Sequence, residues 1–98
     1  MMTIHKFAVK PDAFTVSLPR TARVLSVQTQ LNQAGREQAC MWVYLDDLDG
    51  LKEERKFMTI GTGHNGDAVR NMRFVGTFQL EGGALIFHLF EGGAIPSM

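Results

Sequence analysis

The amino-acid sequence predicts an all-β fold: a small antiparallel β-sandwich or barrel of about seven short strands, with at most one short helical turn. Three observations carry that expectation. Apolar and polar residues alternate at period two in several runs, Phe14–Leu18 and Arg73–Leu80 among them, which marks strands with one buried face. Two other runs, Ala39–Leu45 and Ala84–Phe90, are apolar on both faces apart from His88, as interior strands are. No longer stretch repeats its apolar residues at the 3.6-residue spacing of a helix.

The elements follow in order. Thr3–Val9 reads as a first strand with His5, Phe7 and Val9 on one face, ended by Lys10-Pro11-Asp12 because proline brings no ladder donor. Phe14–Leu18 turns Phe14, Val16 and Leu18 inward, and Pro19-Arg20-Thr21 breaks the chain again. Ala22–Leu31 places Leu25, Val27 and Leu31 on one face and Ser26, Gln28 and Gln30 on a wet one. A polar loop, Asn32–Glu37, leads to the interior strand Ala39–Leu45. An acidic connection, Asp46–Glu54, leads to a strand at Arg55–Ile60. Gly61–Asp67 is the most glycine-dense loop, and Ala68–Met72 reads as one helical turn or a linker. Arg73–Glu91 is a hairpin with Phe74, Gly76, Phe78 and Leu80 on one face. Its turn, Glu81-Gly82-Gly83, supplies positive backbone angles. Residues 1–98 form one domain, with 92–98 as a loose C-terminal tail.

Composition narrows the functions. Ten basic and ten acidic side chains cancel, so the basic excess that drives nonspecific nucleic-acid binding is missing. Apolar runs stay short of the roughly 18 residues that suggest a membrane span, so no membrane partner is expected. Met1–Phe7 lacks the basic-then-apolar layout of a secretory signal, which predicts a cytoplasmic location. Cys40 is the lone cysteine; it can form no internal disulfide and lacks a second thiol for structural zinc. Zero net charge permits a homo-oligomer.

The candidate chemistry gathers after the fifth strand. Gly61-Thr62-Gly63-His64-Asn65-Gly66 matches the dinucleotide-binding pattern of spaced glycines. The next strand begins at Arg73, too soon for the crossover helix that fold requires. A humbler role survives, in which consecutive backbone N–H groups form a concavity for an anion. His64 stands there beside Thr62, Asn65 and Asp67, with Arg70 and Arg73 following. The candidate ligand- or partner-binding residues are therefore Gly61, Thr62, Gly63, His64, Asn65, Arg70 and Arg73, facing a small anionic ligand or a host protein. The plainer alternative is a glycine-rich connection with an Asn65-Gly66 turn and an exposed histidine.

Elsewhere the plain readings dominate. His88 reads as a core or subunit-interface histidine, and Cys40 as buried and inert. Trp42 and Tyr44 read as core or interface aromatics, with ring stacking as the alternative. His5, His64 and His88 have no metal-motif spacing, and the acidic loop fails the EF-hand pattern by placing Leu45 first and Lys56 last. No metal, cofactor or catalytic residue is expected, because no nucleophile, base and orienting group stand together.

TIHKF, LPRTARVLSVQTQ, ACMWV, GTGH and VGTFQLEGGALIFHLFE resemble, in order and over nearly the whole chain, a family of small uncharacterised proteins encoded by tailed bacteriophages and prophages. NQAGREQ and NGDAVRNM depart most. The resemblance implies a phage origin and a compact β domain, and it assigns no catalytic residues. The expected function is that of a non-enzymatic bacteriophage accessory protein that binds a ligand or host protein in the cytoplasm of the infected bacterial host. An anti-defence protein that sequesters a nucleotide signal is one version; the alternative is a virion structural β domain, a decoration or connector protein.

Overall fold

The computed structural model describes residues 1–94. The strands are β1 (Met2–Ala8), β2 (Ala13–Pro19), β3 (Arg23–Leu31), β4 (Glu37–Asp46), β5 (Lys52–Gly61), β6 (Arg73–Leu80) and β7 (Leu85–Ala94). Among the described residues, helix is confined to 3-10 turns at Asp67–Val69 and Glu81–Gly83. All pairings are antiparallel, in sheets ordered β1-β4-β3 and β2-β5-β7-β6. The runs that are apolar on both faces became the interior strands β4 and β7, as their pattern predicted. Within the described residues, no helix is long and apolar enough to cross a membrane.

Lys10-Pro11-Asp12 carries the chain from the first sheet to the second, and the two inner faces enclose the core. Met41, Val43, Phe57 and Leu89 are fully buried there, with Leu18 nearly so. Phe57 stacks on Phe14 at 5.3 Å, and Phe78 on Phe87 at 5.7 Å. Along one side the sheets are stitched together where β3 meets β6. The Thr29 hydroxyl donates to the Gln79 carbonyl, and the Glu37 carboxylate accepts the N–H groups of Glu81 and Gly82. Gly76 is obligatory at this seam, since a Cβ there would lie 2.8 Å from Val27 Cγ1. The Glu81–Gly83 turn has the positive angles its sequence suggested, with φ of 54°, 64° and 97°.

Two faces differ from simple alternation, and a β-bulge explains each. In β3 the register shifts between Val24 and Ser26. Val24 and Val27 are therefore buried, Leu25 turns out at 45% exposure, and Leu31 is also exposed. In β6 the shift falls between Phe74 and Gly76. Phe74 leaves the core face that Phe78 and Leu80 keep and packs edge-on against Phe90 outside, at 5.6 Å. An extra residue in one strand reverses the facing of what precedes it. Two boundaries also move: the acidic loop shrinks because β4 reaches Asp46 and β5 starts at Lys52. β7 continues through Gly92–Ala94, which the sequence assigned to the tail; the remainder of that tail, 95–98, lies outside the described residues.

At one end of the core sits a buried ionic cluster. Arg55 donates through Nε to Glu91 Oε1 at 2.9 Å, through Nη2 to the same oxygen, and through Nη1 to the Ala22 carbonyl at 2.9 Å. Arg73 donates to the other carboxylate oxygen, Glu91 Oε2. Strand alternation forces this arrangement, because Arg55 and Glu91 share the inward parity of Phe57 and Leu89.

Candidate functional site

At the opposite end of the sandwich the sheets part into a cleft of about 510 Å³, within the size range of small-molecule sites. Its walls are apolar: Val9 and Ala39 from the first sheet, and Phe78, Leu80 and Phe87 from the second. Its rim is polar, with Lys10 and Asp12 from the β1–β2 connection, Gln38 from β4, and His64 and Asn65 from the loop after β5.

The His64 position is set by the two glycines before it. Gly63 turns the chain with φ of 85°, an angle that costs glycine little. The His64 N–H then donates to the Gly61 carbonyl at 3.0 Å. This folds the imidazole back over Gly61, where a Cβ would meet His64 Nδ1 at 3.0 Å, Cε1 at 3.1 Å and Phe87 Cε1 at 3.4 Å. The absence of a side chain at Gly61 thus makes the seat for the ring, against Phe87 at the cleft mouth. Asn65 accepts the Asp67 N–H at 2.8 Å through Oδ1, which leaves its amide nitrogen as a donor.

The facing lip is pinned just as firmly. Asp12 adopts φ of 60°, a conformation uncommon outside glycine though tolerated by aspartate. Its N–H donates to Thr59 Oγ1 at 3.0 Å, and its carbonyl accepts the Thr59 N–H at 3.1 Å. Backbone held in a sparsely populated region by such a clamp is a mark of functional positions. The mouth therefore offers an ammonium, a carboxylate, an imidazole and an amide around an apolar interior. Glu37 also lines it, with its carboxylate committed to the β6–β7 turn. The lining thus carries one cation, Lys10, and the carboxylates of Asp12 and Glu37.

The seven residues singled out by sequence are divided by the fold. Gly61, His64 and Asn65 line the cleft, and Gly63 shapes the turn. Thr62 points to the outer face of the second sheet, where its hydroxyl meets His88 Nε2 at 2.8 Å and the Ile86 carbonyl at 3.3 Å. Arg70 pairs with Asp67 in solvent at 3.3 Å. Arg73 holds Glu91 five residues before Phe78, roughly 16 Å away along β6 at the usual strand rise. It belongs to a second cavity of about 380 Å³, shared with Arg20, Arg55, Asn71, Glu53 and Glu91. Arg70 stays beside the glycine-rich loop through Asp67, whereas the connection after that loop carries Arg73 to the opposite end, from which β6 runs back toward the cleft.

Sequence reasoning missed Lys10, Asp12 and Gln38. The Pro11-Asp12 pair was visible as a chain break, but nothing local shows that the break crosses between sheets beside His64. Cys40 is buried, as expected. Trp42 and Tyr44 lie half-buried on the outer face of the first sheet, with the Arg23 guanidinium 5.6 Å above the Tyr44 ring.

A family described as Domain of unknown function (DUF7352) matches residues 1–96. No curated protein and no solved structure matches the chain.

Proposed function

The chain belongs to the Domain of unknown function (DUF7352) family, and for it we propose a non-enzymatic binding role: capture of a small ring-bearing molecule in the cleft beside His64. The observation that carries this reading is the 510 Å³ cleft with apolar walls and a polar mouth. A ligand burying about 200 Å² of apolar surface gains about 5 kcal/mol at ~25 cal/mol/Å². Two hydrogen bonds at the rim add about 1 kcal/mol each. After a cost of association of at least about 4 kcal/mol, about 3 kcal/mol remains, so dissociation constants in the millimolar range follow. Among the described residues lining the cleft there is no Ser or Cys to act as nucleophile, and the Thr59 hydroxyl is occupied by Asp12. That favours binding over catalysis.

A phage origin, suggested by the sequence motifs, makes the protein an accessory factor acting in the cytoplasm of the infected host. In its anti-defence form it sequesters a nucleotide signal. The base would pack against Phe87 and His64 in the cleft, and the phosphate would stay outside near Lys10. Calorimetry with bases, nucleosides and linear and cyclic nucleotides tests the reading. Binding should fall at least about tenfold in His64→Ala, the effect of losing about 1.4 kcal/mol. Failure of every compound to bind, or equal binding by the variant, would sink it. A second reading, a virion decoration or connector domain, is favoured by the exposed Phe74 and Ile86 on the outer face of the second sheet; mass spectrometry of purified particles decides it.

A further inference from the structure

The second cavity, of about 380 Å³, lies at the end of the sandwich away from the cleft and has the opposite chemistry. Arg20 reaches it from the connection after β2, and Glu53 and Arg55 from β5. Asn71 and Arg73 reach it from the start of β6 and the link before it, and Glu91 from β7. Apart from Gly92, every described lining residue is charged or carries an amide. Groups of this kind hold their water unless a polar ligand replaces it.

Charge and donors are in excess there. Three guanidinium groups meet two carboxylates, in a chain whose charges otherwise cancel. Both oxygens of Glu91 are engaged, Oε1 by Nε and Nη2 of Arg55 and Oε2 by Nη2 of Arg73. Glu53 compensates Arg20 only loosely, with 3.9 Å between Oε2 and Nε, beyond hydrogen-bond reach. Among the described residues, Arg73 spends one of its five N–H donors, on Glu91, and its side chain is 61% exposed. Arg55 is held by Glu91 and by the Ala22 carbonyl, so it fixes the Glu91 carboxylate, which in turn fixes one end of the Arg73 fork. The guanidinium at the opening is therefore oriented before anything binds.

We propose that this cavity binds a small molecule through an oxyanion, a carboxylate or a phosphate, with Arg73 and Arg20 as its cationic contacts and the Asn71 amide as a neutral donor. The class of ligand follows from charge and donor geometry. A guanidinium presents a planar fork of N–H groups that matches two oxygens of a carboxylate or phosphate. A cation would meet the excess positive charge with the Glu91 carboxylate already taken. An apolar molecule would strip water from the guanidinium groups and return nothing. The volume stands near the lower end for small-molecule sites, which suits a short-chain acid or a phosphate with a small substituent. Arg20 and Arg73 are both exposed, so solvent screens the attraction and the affinity is modest, on the order of 1 mM. The site stands apart from the cleft beside His64 and does not depend on what that cleft holds.

Titration of the 15N-labelled chain with inorganic phosphate, and separately with succinate, at constant ionic strength tests the site by NMR. The side-chain N–H signals of Arg73 and Asn71 should shift saturably, with a midpoint on the order of 1 mM. Arg73→Gln should raise that midpoint at least about tenfold, read from Asn71, through loss of a charged hydrogen-bond donor. Arg20→Gln, a second variant should Arg73→Gln not fold, should raise it at least about threefold. Arg70→Gln, which removes an exposed guanidinium outside the cavity, should leave it unaltered. Saturation by phosphate alone, by succinate alone or by both supports the site and assigns its oxyanion. No saturable shift with either compound, unchanged binding by either folded cavity variant, or loss of binding in Arg70→Gln overturns the proposal.

Discussion

Replacing Glu91 with alanine should destabilise the domain by about 3–5 kcal/mol, because it leaves a buried guanidinium without its counter-charge. Glu91 is 4% exposed and accepts from both Arg55 and Arg73. The two arginines respond differently. Arg55 is enclosed by the core and keeps only the Ala22 carbonyl, so its charge stays dehydrated and unpaired. The Arg73 side chain is 61% exposed and simply rehydrates, which limits Arg73→Ala to below about 1 kcal/mol. A domain of this length has about 5–15 kcal/mol of total stability, so the Glu91 substitution consumes a large share. With a urea slope of about 1–1.5 kcal/mol/M, the midpoint should fall by roughly 2–5 M. The decisive comparison is the double variant Arg55→Met/Glu91→Leu, which removes both charges together and should recover most of the loss. If Glu91→Ala costs less than about 1 kcal/mol, or if the double variant is no better than the single one, the ionic cluster does not work this way.

Three further outcomes follow from named contacts. Gly76→Ala forces a methyl to within 2.8 Å of Val27 Cγ1 and should cost about 1–3 kcal/mol by overpacking; adding Val27→Ala should return part of that in the same urea titration. His64→Ala should leave stability within about 0.5 kcal/mol, as for other exposed positions. Gly61→Ala should reproduce its loss of ligand, because the new methyl displaces the imidazole; ring-proton NMR shifts of His64 and Phe87 report the displacement.

The strands were legible because their signals are local. Alternation located β2 and β6, and two-sided hydrophobicity identified β4 and β7 as interior. The bulges were not legible, for a physical reason: nothing in Val24-Leu25-Ser26 or Phe74-Val75-Gly76 requires an extra residue. The partner strand and the seam decide it. Gly76 lies inward because Val27 occupies the space its side chain would need, a contact between residues far apart in sequence. Once the register slips, Leu25 and Phe74 lose the facing that period two assigned them. The ionic cluster was hidden similarly. Arg55 and Glu91 each sit at the end of an apolar run and look like exposed strand termini until β5 and β7 pair.

The glycine-rich loop shows how sequence adjacency misleads about a site. Thr62, His64 and Arg73 looked like one constellation because they are close along the chain. A strand sends neighbouring side chains to opposite faces, and β5 imposes that division as it ends: Gly61 faces the core and Thr62 faces out. Thr62 then locks His88 on the outer surface, while Gly63 reverses the chain and returns His64 to the cleft. The connection that follows carries Arg73 to the far end, into the cluster with Glu91 where β6 begins. What a single motif suggested is therefore three locations with three chemistries: a hydrogen-bond relay through His88, a ring-lined cleft, and an ion cluster. Substituting the loop as a whole would disturb both the relay and the cleft. Substituting Thr62 and His64 separately is what assigns a function to each.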